Sequence, residues 1–207
     1  MEESDSTVSW IARLTCAGAD EREQAARELF RRGCALAEPV LRSWFANSEF
    51  RALVRPGVSL LTVGVAVLPQ HFEEIHASCG RPRLAAVPAD QDAREFELAF
   101  THGVRLDILT PRDSAPDSAP DGAIARFLAR FGEGIQQVEC EVSDLSRATS
   151  ILQTHFAVEP VYRDTHGRPE ARAGADNTRV NFFLVPASEG QKVLIELVEL
   201  PRRKSAK

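Results

Sequence analysis

The chain has 207 residues, 43% of them apolar, and a formal net charge of −5 from 25 basic and 30 acidic side chains. That composition supports a buried core and disfavours nucleic acid or an anionic membrane as partner; the longest apolar run, Val58 to Leu68, is far too short to span a bilayer. Four cysteines (Cys16, Cys34, Cys79 and Cys140) lack regular spacing, and the acidic N-terminus has no apolar stretch, so reduced thiols in a cytoplasmic protein are expected.

Residues 1–57 read as a short helical segment. Val8 to Leu14 carries a helical pattern. Asp20, with Glu23 three residues on, has the form of a capping box, and Gly33 that of a helix stop. Ala26, Leu29 and Phe30 make an apolar stripe between them, and Ala35 to Phe45 predicts another helix with Pro39 in its first turn. Such a pair resembles a single HEAT-type unit, which cannot bury its own apolar face. It must pack on the following domain or on a second chain, through which a homodimer or protein partner would dock. Arg55-Pro-Gly57 marks the boundary.

Beyond it the chain repeats itself. Leu60 to Val67 predicts a strand, Pro69 to Cys79 a helix, and further strands end in Gly103 to Pro111. After a Pro/Ser/Asp-rich linker and a short helix, Ala123 to Phe131, the order recurs: strand Gly134 to Val142, helix Asp144 to Phe156, closing strand Gln191 to Glu199. The predicted fold is α+β: two tandem βαβββ modules forming a cupped mixed sheet. The repeat domain runs over 58–207, with module one at 58–112, linker at 113–122, module two at 123–200 and a basic tail at 201–207. Tandem copies place a site between them. Module two is longer, chiefly across 164–178, a polar stretch read as a lid or an unstructured loop.

Strand side chains alternate between faces. Val63, Val65 and Val67 oppose Thr62, Gly64 and Ala66; Leu106 and Ile108 oppose Arg105 and Asp107; Val138 and Cys140 oppose Gln137 and Glu139. Each strand thus has an apolar face for a helix and a mixed face for a shared cup.

These residues resemble the vicinal oxygen chelate superfamily (glyoxalase, bleomycin-resistance and extradiol dioxygenase proteins), whose paired units cup a metal. Within it, the stretch Ile124-Ala-Arg-Phe-Leu-Ala-Arg-Phe-Gly-Glu-Gly-Ile-Gln-Gln-Val-Glu-Cys-Glu-Val142 is similar to the Ile-Ala-Lys-Phe-Leu…Gly-Glu-Gly-Leu-His-His-Ile-Ala-Phe-Glu-Val stretch of the methylmalonyl-CoA epimerase family. Leu61 to Val67 and Val193 to Glu199 resemble its opening and closing strands. The likeness covers 58–200 and leaves the N-terminal helices without counterpart.

The resemblance implies metal positions at Thr62, Asp107, Gln137 and Glu196, where Thr62 and Gln137 replace two family histidines. It implies an isomerase that removes a proton alpha to a thioester, with a metal as Lewis acid and a glutamate as base. That glutamate falls near Ala85 or Ala86. Imidazoles suit Zn, Co, Ni and Fe, whereas a hydroxyl, an amide and two carboxylates offer a divalent metal only the weak hold that Mg or Ca accepts. Asp107 and Glu196 read either as ligands or as solvated acids, and Glu196 also as a metal-free catalytic base raised by burial. Arg105 stands either as a cation in place of the metal or in an ion pair with Asp107, Glu139 or Glu196. Arg105, Glu139 and Arg179 are the candidate ligand-binding residues, with Asn181 beside them. All five histidines are expected at the surface. Three functions stay open: a degenerate epimerase-like protein binding a small organic acid, acyl thioester or similar metabolite, with isomerase or lyase chemistry; a non-catalytic interaction protein with a filled cup; and a metal-free antibiotic-type binder, which needs aromatic walls.

Overall fold

The computed structural model describes residues 6–54, 61–88, 91–112, 122–163, 166–167, 169–187 and 192–201. The expected boundary at 55–57, nearly all of the linker and the tail beyond 201 lie outside the described residues.

Alternation builds the sheet. β1 (Leu61–Ala66) runs antiparallel to β4 (Gly134–Glu141) along the seam between the two halves. On one side β1 pairs in parallel with β3 (Arg105–Pro111), which pairs antiparallel with β2 (Ala93–Ala99). On the other, β4 pairs in parallel with β7 (Lys192–Glu199), followed by β6 (Arg179–Pro186) and the short β5 (Arg172–Ala173). The order β2-β3-β1-β4-β7-β6-β5 gives one seven-stranded mixed sheet. Among the described residues the first half thus contributes three strands where four were expected. Residues 81–88 run alongside β2 instead, joined to it where the Ala85 N–H donates to the Glu95 carbonyl at 2.9 Å.

Valines, leucines and isoleucines on the outer face meet helices. α4 (Pro69–Ser78) buries Phe72 and Ile75, and α6 (Leu145–Phe156) buries Leu145, Ala148, Ile151 and Leu152. The Asp144 carboxylate caps α6 by accepting from the Arg147 N–H at 2.9 Å.

The N-terminal region departs from expectation. After α1 (Thr7–Arg13), a single helix α2 (Ala19–Ala46) runs 28 residues straight through Gly33 and Pro39, followed by α3 (Ser48–Leu53). Gly18, not Asp20, is the N-cap; Asp20 and Glu21 lie in the first turn, where the helix dipole favours acids. Gly33 stops nothing because Leu29, Gly33, Ala37, Leu41 and Trp44 continue one buried stripe past it. A Cβ there would lie 2.5 Å from Val63 Cγ1 and 2.6 Å from Cγ2, so glycine allows α2 to lie close against β1. Trp44 meets Phe183 of β6 edge-on at 6.1 Å. Of the two fates expected for this segment, the stripe is covered by the chain's own sheet, across both halves. Each such large apolar side chain contributes about 1.5–3 kcal/mol on burial.

All four cysteines are free. No helix among the described residues is long and apolar enough to cross a membrane.

Candidate functional site

The inner face of the sheet curls into an open cavity of about 650 Å³. α5 (Ala123–Phe131) closes one end, where Ile124 packs with Ala66, Ala93 and Leu109. The sheet's two outer ends meet across the mouth. Asp176, before β6, takes both guanidinium nitrogens of Arg83 (2.6 and 3.2 Å), accepts from the Ala86 N–H at 3.1 Å, and donates its own N–H to the Ala86 carbonyl at 3.1 Å. Gln91 Nε2 adds a bond to the Ala173 carbonyl at 2.6 Å. Part of the longer second-half segment is therefore ordered as a clasp.

Thr62, Asp107, Gln137 and Glu196 all line this one cavity, from four different strands. Register explains it. Gly64 of β1 lies opposite Asp107 on one side and Gln137 on the other. A Cβ at Gly64 would come 2.6 Å from Gln137 Cγ, so its absence lets the glutamine lie across the floor. One row away, Thr62, Glu139, Glu196 and Phe182 stand opposite one another in succession across β1, β4, β7 and β6. Gln137 Nε2 donates to Glu196 Oε2 at 2.5 Å and to Glu139 Oε1 at 3.1 Å.

The floor is crowded with carboxyl groups. Burial, then the charge of Asp107, pushes Glu95 of β2 up to about 8. Burial, then the charge of Glu196, pushes Glu139 up to about 8 as well. Asp107 and Glu196 are held well above the usual carboxylate range, again chiefly by burial, and Asp107 shares a hydrogen bond with Glu139. Such groups retain protons near neutrality that solvated acids would lose.

One expected ion pair and one expected cavity position need correction. Arg105 lines the cavity, but it bonds Glu97 and Glu141, not Asp107, Glu139 or Glu196. Burial works against its charge, and the two carboxylates outweigh that and raise it. Its long side chain reaches diagonal neighbours and leaves the floor open. Arg179 lies on the outer side of β6, bonding Glu199 at 2.9 Å, and Asn181 is buried against Thr149 of α6 at 2.8 Å. β6 is apolar on both faces (Val180, Phe182, Phe183, Leu184, Val185), so its sequence does not show which parity faces inward. Among the histidines, His71 is half-buried against Glu133 at 2.8 Å, and His76 bonds the Pro82 carbonyl at 2.7 Å.

The sequence reading missed Glu95. Its parity with Glu97, opposite buried Phe96 and Leu98, is visible once β2 is delineated. It also missed Tyr162 and Phe182, edge-on at 5.8 Å in the cavity wall, and Arg126 and Arg172 around them.

The donor set does not fit a transition metal. The Gln137 amide turns its N–H donors, not its oxygen, toward Glu196 and Glu139. Among the described residues no group of three or more His, Cys, Asp or Glu is placed to hold a metal ion. The hydrogen bonds of the amide offset carboxylate repulsion where a cation would otherwise do so.

Paired βαβ-type halves, a seam of first strands and a hollow between them define a class of ligand-cupping proteins. No family model matches the sequence, and no curated protein matches it. Solved structures do. Methylmalonyl-CoA epimerase from Mycobacterium tuberculosis is 32% identical, with 74% of this chain and 96% of that one covered at a TM-score of 0.54. A Streptomyces coelicolor methylmalonyl-CoA epimerase variant in complex with 2-nitronate-propionyl-CoA is 21% identical (74% and 99% covered, TM-score 0.52). A methylmalonyl-CoA epimerase in complex with methylmalonyl-CoA and NH4+ is 22% identical (74% and 99% covered, TM-score 0.51). With the mycobacterial identity extending over nearly that whole chain, this protein belongs to the vicinal oxygen chelate superfamily, in its methylmalonyl-CoA epimerase-like branch.

Proposed function

We propose that this protein binds an acyl thioester with the acyl group in the cup, and moves a proton at the carbon alpha to the thioester without a transition metal. The observation that carries the reading is the placement of Glu95 and Glu196 in one cavity on opposite halves of the sheet. A carboxyl group whose pKa is near the working pH is an effective base and, once protonated, an effective acid. Glu196 is the catalytic candidate, and Glu95 supplies the carboxyl group that Ala85 and Ala86 lack. Thr62, Asp107, Gln137 and Glu139 hold the reacting end by hydrogen bonds in place of metal ligation, and Arg105 braces the floor through Glu97 and Glu141. The rim arginines Arg126 and Arg172 suit the phosphates of a CoA moiety. A free organic acid fits less well, since its charge would face the carboxyl floor. On this reading the chain divides into a helical segment, 1–57, and a glyoxalase-like domain, 58–207, acting in the cytoplasm, as the four unpaired thiols favour.

Deuterium uptake from D2O into the alpha position of propionyl-CoA and methylmalonyl-CoA, followed by mass spectrometry, tests the proposal. Exchange by the wild type, reduced about 10²–10⁴-fold in Glu196→Gln or Glu95→Gln, is the expected result. Exchange no faster than buffer with both esters overturns the catalytic reading. One observation favours the metal-free binder as the second reading: Tyr162 and Phe182 provide the aromatic wall that it requires. Binding of either ester without exchange would select it.

A further inference from the structure

We propose that the floor of the cup receives an organic ammonium group, so that the thioesters selected here end in a positive charge rather than a carboxylate. The thioester part rests on the reading above; the charge preference has its own basis. Seven acidic side chains line the cavity against three arginines, and the arginine nearest the floor, Arg105, is engaged by Glu97 and Glu141. The floor carboxyl groups hold protons in the empty cup and would release them to a bound cation, becoming acceptors for it. Thr62, Glu139 and Glu196 are successive register partners on one face, about 4.5–5.5 Å from one to the next.

A second observation points the same way. The Thr62 side chain is 4% exposed, faces the cavity, and has no hydrogen-bond partner among the described residues. That hydroxyl opens on the cavity, where a ligand N–H would find it as an acceptor. An ammonium brings three donors and no acceptor, which matches a hydroxyl with Glu139 and then Glu196 in line on one side of it. A ligand carboxylate brings only acceptors. The wall agrees. Phe182 stands opposite Glu196 in register, and the neighbouring Tyr162 ring already carries the Arg172 guanidinium 4.6 Å from its centre. Aromatic faces hold cations in this way, and weakly repel anions.

Isothermal titration of the full chain with β-alanyl-CoA, propionyl-CoA, malonyl-CoA, CoA and β-alaninamide tests the inference. The expected order is β-alanyl-CoA, then propionyl-CoA, then malonyl-CoA, with at least about tenfold between first and last. Thr62→Val and Glu139→Gln should each narrow that ratio, and a ratio unchanged in both variants counts against the ammonium floor. Malonyl-CoA binding as tightly as β-alanyl-CoA overturns the charge preference and leaves the thioester reading standing. Binding of β-alaninamide, with all four CoA compounds inert, overturns the thioester reading and keeps the ammonium floor. Five inert compounds overturn both.

Discussion

Replacing Gly33 by alanine tests whether the N-terminal helix belongs to the same core as the cup. In an exposed helix the change stabilises by about 0.8–1 kcal/mol, because alanine is the better helix former. Here the new methyl would lie 2.5 and 2.6 Å from the two Val63 methyl groups, far inside contact distance, on a strand fixed by pairing on both sides. Overpacking of that kind costs about 1–3 kcal/mol. The net expectation is a loss of about 1 kcal/mol, read as a fall in Tm of roughly 2–4 °C for a chain of this size. Ser43→Ala, on the exposed side of the same helix, serves as control and should be neutral or slightly stabilising. The sharper assay is a double-mutant cycle by urea unfolding: in a Val63→Ala background the Gly33→Ala change should become stabilising, a coupling of about 1 kcal/mol or more. A Gly33→Ala variant that is more stable than wild type, with no coupling to Val63, would refute the packing of α2 on β1.

Glu95 ties stability to pH. Its folded pKa of about 8 lies above the ordinary 4.5, so the folded state keeps a proton that the unfolded chain releases between those values. Stability therefore falls as pH climbs through that window, by up to about 1.4 kcal/mol per pH unit for this group, and levels off above it. Glu95→Gln should flatten the decline of Tm between pH 5 and 8, and an unchanged slope would contradict the burial described. Asp176→Ala should remove hydrogen-exchange protection from the Ala86 amide, which bonds the Asp176 carboxylate, and leave β1 protected; retained protection at Ala86 would mean the clasp is held by something else.

Much of this architecture is legible in the chain because strand alternation is a short-range signal. The opposition of Val63 and Val65 to Thr62 and Gly64 predicts the cup face correctly, and the helices at 123–131 and 145–156 fall where their patterns put them. Thr62, Asp107, Gln137 and Glu196 share one cavity for the same reason. What failed depends on contacts distant in sequence. Gly33 has the local form of a helix stop, and only Val63, on the strand beyond, shows why a glycine is needed mid-helix. Arg179 was assigned inward because β6 is apolar on both faces and its parity is set by β7. Glu95 went unnoticed because its significance comes from Asp107 and Glu196 on other strands, not from its own neighbours in the chain.

The long helix also constrains how a ligand gets in. α2 crosses the seam between the halves like a splint, with Gly33 against β1 and Trp44 against β6. Flexing the two halves about that seam would drag a close-fitting helix across Val63, so the hollow cannot readily breathe from behind. Admission and escape are left to the front, where Asp176 on one half grips an arginine and a backbone amide on the other and Gln91 reaches back to the Ala173 carbonyl. Changes in the width of the mouth should thus come from that latch, rather than from any rocking of the halves.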